Sequence, residues 1–272
     1  MSAPNSISPE KLNKLVGTPA CPVIVDVRTE EDFDADPRLI PASIRRGHRE
    51  VAAWGAAFDG KAIIAVCHHG AKLSHGTAAW LRHLGADAAN LEDGFEGWKA
   101  AHLPLVPAAS IPPRDDQGRT LWVTRARPKI DRIACPWLIR RFIDPSAVFL
   151  FVAPSEVQAV ADRFAATPFD IENTLWSHRG EFCTFDTMLA EWNLATDPLL
   201  RLATIVRAAD TARLDLVPEA SGLLAASLGL SRMYSDDLAQ LDAGMLLYDA
   251  FYRWCRDATD ETHNWPTNKA RP

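Results

Sequence analysis

Apolar and polar positions change their period along this chain, and the change divides it. Residues 23–27, Val-Ile-Val-Asp-Val, are a short β-branched run, and residues 61–66 hold a second one in which Ala62, Ile63, Ile64, Ala65 and Val66 are apolar without a break. Unbroken apolarity over so few residues predicts strands covered on both faces. The intervening spacing is helical. Thr29 is a cap ahead of the acids Glu30, Glu31 and Asp32, and residues 74–84 place Ala78, Leu81 and Leu84 along one side. Strand, helix, strand, helix in this order predicts an α/β domain: a parallel sheet with helices on both faces.

The grain differs after residue 120. Residues 121–124 and 147–152 read as strands around a helix over 131–143 that carries Ile133, Trp137, Leu138 and Phe142 on one face. Beyond residue 154 the pattern is mostly helical, with three-to-four spacing over 199–212, 219–228 and 236–256. This half is expected to be a helix-rich α+β domain. Between the halves, PLVPAASIPPRDDQGR (104–119) breaks both periods, because its four prolines lack backbone donors and its Asp-Asp-Gln-Gly supplies turn chemistry. The expected organisation is one domain over 1–107, a linker over 108–119 and a second domain over 120–272.

Composition narrows the possibilities only in part. The chain has 272 residues, 47% hydrophobic and 24% charged, a balance that folds. Its net charge of −6 disfavours broad binding to nucleic acid or anionic membrane, and no run approaches the roughly 18 apolar residues of a membrane span. Five scattered cysteines without a C-x-x-C pair support neither a disulfide framework nor a thiolate zinc finger. The N-terminal residues lack an apolar core behind a basic start. These features predict a cytoplasmic protein with free thiols, working without a cofactor. The composition leaves the oligomeric state open.

Cys67 stands where the second apolar run stops, and Cys67-His68-His69-Gly70-Ala71-Lys72-Leu73-Ser74 leads directly into a helix. Open parallel sheets bind ligands at this edge. Backbone N–H groups of such a loop, with the positive end of the following helix, stabilise a thiolate and a bound oxyanion together. Gly70 permits the tight turn and Lys72 adds positive charge at the rim. The alternative is that Cys67 is a small apolar residue ending a strand. Adjacent histidines in one tight loop rarely point the same way, which argues against a metal there.

The first half resembles a rhodanese domain over about residues 8 to 104. The resemblance rests on Val23-Ile24-Val25-Asp26-Val27-Arg28 with Glu31 and Phe33, Ile40-Pro41-Ala42-Ser43-Ile44, the Cys67 loop, and Leu91-Glu92-Asp93-Gly94-Phe95-Glu96-Gly97-Trp98. It implies sulfur transfer through a persulfide on Cys67. The six-residue loop from Cys67 to Lys72, with His68, His69, Gly70 and Ala71 between them, would bind the oxyanion. The implied partners are a small oxyanion or sulfane-sulfur donor and a thiol-type acceptor. The family usually ends this loop in arginine; Lys72 keeps the charge without the planar fork that grips an oxyanion through two hydrogen bonds.

The second half concentrates six basic residues against two acids over 125–144, a +4 segment in an acidic protein. Arg125, Arg127, Lys129 and Arg132 fall near the predicted start of a helix, where anions bind favourably. Asp131 and Cys135, four apart, share a helix face. The alternative is a solvated basic face with Asp131 as the helix cap. His178, Glu181, Cys183 and Asp186 lie within nine positions and are candidate metal ligands at irregular spacing. Asp186 serves equally as a helix cap, and Asp210 joins only if the fold brings it near. This half resembles the chromate resistance protein domain from about residue 120 to 258. The resemblance rests on Trp122-Val123-Thr124-Arg125, the helix Asp131 to Ile139 and Glu181-Phe182-Cys183-Thr184-Phe185-Asp186.

Chromate, sulfate and thiosulfate are tetrahedral dianions of similar shape, so one oxyanion nest serves the chemistry of both halves. The two functions the sequence allows are a sulfurtransferase in a chromate or oxyanion resistance context and an oxyanion-responsive regulator or binding protein without turnover. Salt-dependent DNA retention distinguishes them.

Overall fold

The computed structural model describes residues 5–261; the outermost ends of the two expected domains, 1–4 and 262–272, lie outside the described residues. The first half runs β1 (Ser6–Ile7), α1 (Pro9–Leu15), β2 (Val23–Asp26), α2 (Glu30–Ala35), β3 (Arg38–Leu39), β4 (Ser43–Arg45), α3 (Val51–Trp54), β5 (Ala62–Val66), α4 (Lys72–His83), β6 (Asp87–Leu91), α5 (Gly94–Ala100) and β7 (Val106–Pro107). Five strands form a parallel sheet in the order β1-β6-β5-β2-β4. Alternate side chains of a strand point to opposite faces, and the packing follows that rule. Ile24, Ile64 and Val66 join a core with Leu12 of α1 and Phe95 and Trp98 of α5. Val25, Ile63, Ala65 and Cys67 join another with Val51 of α3 and Ala78 and Leu81 of α4. Both faces are covered, which is why the strands carry no polar alternation.

Thr29 caps α2 as its position implies, its Oγ1 accepting the Asp32 N–H at 3.1 Å. The proline-rich stretch is fastened to both halves. β7 pairs antiparallel with β3, the Pro104 carbonyl accepts the Trp98 indole at 2.8 Å, and the Ser110 carbonyl accepts the Trp192 indole at 3.1 Å. Proline lacks a donor but keeps its carbonyl, so such a segment still anchors tryptophans. Leu12 and Ile24 of the first half and Trp122 and Trp137 of the second belong to one continuous core.

The second half contains β8 (Leu121–Arg125), α6 (Ile130–Leu138), β9 (Val148–Val152), α7 (Val157–Phe164), β10 (Thr167–Pro168), α8 (Thr184–Glu191), α9 (Asp197–Asp210), α10 (Glu219–Met233) and α11 (Asp237–Asp257). Its three strands are parallel in the order β10-β8-β9. The helix expected over 131–143 is α6 followed by a π turn over Ile139–Ile143, closed by the Asp144 N–H on the Ile139 carbonyl at 2.8 Å. Lys129 occupies the cap position of α6 without a side-chain bond, so Asp131 is free of that role. Among the described residues, no helix is long and apolar enough to cross a membrane. All five cysteines are free thiols.

Candidate functional site

Cys67 follows β5 and the helix α4 begins at Lys72, which sets the intervening loop at the carboxyl edge of the parallel sheet. The thiol is 4% exposed beneath a loop whose His69, Ala71 and Lys72 are exposed. Its Sγ accepts the Ala71 N–H at 3.2 Å and lies 3.2 Å from Ser74 Oγ, on the first turn of α4. The Ala71 N–H and the start of α4 both set positive partial charge against this sulfur.

The loop is held by the first turn of α5. Phe95 N–H donates to the Cys67 carbonyl at 2.9 Å and Glu96 N–H to the His68 carbonyl at 3.0 Å. Gly70 has φ +63°, and a Cβ there would stand 2.6 Å from the Gly94 amide nitrogen. Asp93 stands at φ +54°, a left-handed conformation that aspartate tolerates better than most residues. Gly70→Ala is therefore expected to cost more than about 1 kcal/mol and to deform the loop. Thermal melts check this.

Asp26 and Arg28 form a buried pair, Nη2 to Oδ2 at 2.6 Å. The guanidinium lies 3.7 Å over the Phe95 ring and bonds the Asp36 and Arg38 carbonyls. This pair braces Phe95, whose N–H holds the loop. His68 and His69 meet edge to face with ring centroids 4.2 Å apart, and His68 Nδ1 is buried without a partner.

In the second half the basic residues divide. Arg125, ending β8, donates to the Asp170 carbonyl at 2.9 Å and its carboxylate at 3.3 Å, and Arg132 Nε reaches the same Asp170 Oδ2 at 3.3 Å. Arg127 instead bonds the Ser231 carbonyl at 2.7 Å and, through its N–H, the Asp237 carboxylate at 3.2 Å. Lys129 is exposed. The four do not converge on one anion pocket. Two of them neutralise an aspartate instead.

The metal-ligand candidates also separate. Glu181 is exposed, Cys183 is buried at the cap of α8, and Asp186 takes the Cys183 N–H at 3.1 Å and Arg207 at 2.7 Å, which is the capping role. His178 alone enters a polar cluster. Its Nε2 lies 3.2 Å from Asp210 Oδ2, 3.5 Å from Asp131 Oδ2 and 3.6 Å from Asp170 Oδ1. The last residue of α9 thus comes close, as Asp210 had to. Asp170 was not singled out in the sequence. Its only signal is that it follows β10, at a left-handed φ of +52°.

Hydrogen bonds from the imidazole to Asp131, Asp170 and Asp210 raise the His178 pKa well above its ordinary range. Burial pushes the Asp131 carboxyl up, against the His178 bond, and the charges of Asp210 and Asp170 raise it further. Burial would also raise Asp170, but His178, Arg132, Thr184 and Arg125 bring it below the usual value. Cys135 and Cys183 are pushed well up, by burial first and then by Asp131. Both thiols stay protonated beside the cluster, so the face shared by Asp131 and Cys135 holds no nucleophile.

The comparisons with known proteins match this division. Residues 8–101 match the rhodanese-like domain. Residues 122–255 match the C-terminal domain of ChrB, so the chain is a fusion of these two domains. Protein ChrB of Cupriavidus metallidurans is 38% identical over 149 residues, 53% of this chain and 44% of that protein, so the match spans less than half the relative's length. Among solved structures, a rhodanese-related protein from Thermoplasma volcanium is 22% identical with a TM-score of 0.33, covering 38% of this chain and 98% of that one. A rhodanese-like domain protein from Staphylococcus aureus is 28% identical with a TM-score of 0.31, covering 35% and 91%.

Proposed function

We propose that the chain is a sulfurtransferase of the rhodanese type, carrying its sulfur as a persulfide on Cys67, and that it serves chromate or oxyanion resistance. The observation that carries the reading is the Cys67 Sγ receiving the Ala71 N–H at 3.2 Å, at a strand end that opens directly into α4. With thiosulfate as donor, the Cys67 thiolate attacks the outer sulfur, the S–S bond of thiosulfate breaks, and sulfite leaves with the electron pair. The product is Cys67–S–S⁻, its negative sulfur facing the loop amides and the helix end. A thiolate acceptor then attacks the outer sulfur, forms a new S–S bond and releases the Cys67 thiolate. Lys72 draws the dianion by charge. The ChrB-like half supplies the resistance context and the surface against which donor or acceptor is placed. The free thiols fit the reducing cytoplasm as the place of work.

Mass spectrometry of the full chain after thiosulfate treatment tests this. One added sulfur atom on the Cys67 peptide is expected. The absence of any adduct with thiosulfate or another sulfane donor overturns the reading and leaves an oxyanion-responsive binding or regulatory protein. Lys72→Arg restores the planar fork at the loop's end and is expected to lower the thiosulfate concentration for half-loading about fivefold. An unchanged or higher concentration would show that position 72 does not touch the oxyanion.

A further inference from the structure

His178 has one Nε2–H to give and three carboxylate oxygens within 3.2 to 3.6 Å of that atom. One hydrogen bond satisfies one of them. The buried Asp131, 1% exposed, turns Oδ2 into the cluster, where the Thr184 N–H meets it at 2.6 Å, and its Oδ1 has no partner at all. A buried carboxylate oxygen without a partner is costly, and carboxylates gathered at one imidazole are a set of ligands that a cation can bind. Ligands bound at about 2.1 Å stand roughly 3.0 Å apart in an octahedral shell and 3.4 Å in a tetrahedral one, close to the spacings around His178. One ligand atom each from Asp131, Asp170 and His178 falls within 4.8 Å of the others.

The surroundings are built for the same purpose. Thr184 Oγ1 donates to Asp170 Oδ1 at 3.0 Å, and Arg125 and Arg132 hold its other oxygen, an outer layer that fixes how the carboxylate points. Arg125 ends β8 and Asp170 follows β10, so the cluster lies past the carboxyl ends of parallel strands, the edge at which such sheets bind ligands. The His178 side chain is 40% exposed, which leaves an entry path.

We infer that Asp131, Asp170 and His178, with Asp210 beside the imidazole, form a binding site for one divalent first-row transition cation. Hard carboxylates with one imidazole favour Mn²⁺ or Fe²⁺ over a thiolate-seeking ion. Neither Cys135 nor Cys183 is among the grouped ligand atoms. This site is separate from the Cys67 loop and stands or falls independently of sulfur transfer.

The test is titration of the chelator-stripped full chain with Mn²⁺, followed by loss of the free-ion paramagnetic resonance signal, and with Co²⁺, followed by visible absorption. Saturable binding of one ion per chain is expected. The affinity should fall at least about tenfold in His178→Ala and in Asp210→Asn, and hold in Glu181→Ala. His178 and Asp210 are partly exposed, so circular dichroism of these two variants should match the parent. If either variant loses the native spectrum, Mn²⁺-dependent thermal stabilisation of the parent chain and of Glu181→Ala decides instead. No saturation at millimolar ion, absence of that stabilisation, or equal binding by folded His178→Ala and Asp210→Asn would overturn the inference.

Discussion

Cys67→Ser is expected to abolish sulfur loading and to reduce sulfur transfer to background, a loss of at least about a thousandfold. A serine oxygen forms no persulfide. The substitution leaves the fold intact, because a hydroxyl at that position can engage Ser74 Oγ and the Ala71 N–H as the thiol does. Stability should therefore change by less than about 1 kcal/mol. The other four thiols offer no substitute. Burial raises Cys21 and Cys255 to about 11, and it also pushes Cys135 and Cys183 well up. Intact-mass analysis after thiosulfate, beside a turnover assay with a thiol acceptor, measures both effects. Residual turnover in the serine variant would place the carrier on another cysteine and remove the loop from the mechanism.

Trp137→Ala should destabilise the chain by about 3 to 5 kcal/mol, the usual cost of emptying a tryptophan site that cannot collapse. Trp137 is fully buried, with Phe142, Phe185, Tyr248 and Tyr252 around it. Its indole N–H donates to Asp249 Oδ1 at 2.8 Å, and Arg141 holds both oxygens of that carboxylate at 2.8 and 2.7 Å. Losing the indole leaves the Arg141 pair in place, so the loss is chiefly one of packing. Urea unfolding is the measurement, with a lower midpoint and an unchanged slope. Because the core around Trp137 continues to Leu12 and Ile24, the same shift is expected from a probe in the rhodanese-like domain. Separate transitions for the two halves would contradict the shared core.

Much of the first domain was legible because its signals are local. The period-two rule assigns Ile63 and Ile64 to opposite faces of β5 whatever lies above them. Thr29 followed by acids is a helix start within four residues. Cys67 at the end of an apolar run, with Gly70 three residues on, already describes a strand, a tight loop and a helix. The short α1 carries no expectation in the sequence, since its seven residues span only about two turns. The helix expected over 131–143 has that extent within a residue, but its last turn is π, a change that an apolar stripe running alike through both does not register.

The second site was legible only in fragments. His178, Asp131 and Asp210 each stood out by residue type, but they belong to a loop, the first turn of one helix and the last turn of another. The sequence alone determined the strands β2 and β5 with the helices that follow them, where a cysteine ends a strand, and how much charge gathers over 125–144. Those properties depend on neighbours a few positions away. The tertiary structure decided that Arg125 and Arg132 serve Asp170 in place of a shared anion, and that three carboxylates close on one imidazole. Side chains separated by up to 79 positions, as Asp131 and Asp210 are, meet only when helices pack, and no local spacing encodes that encounter.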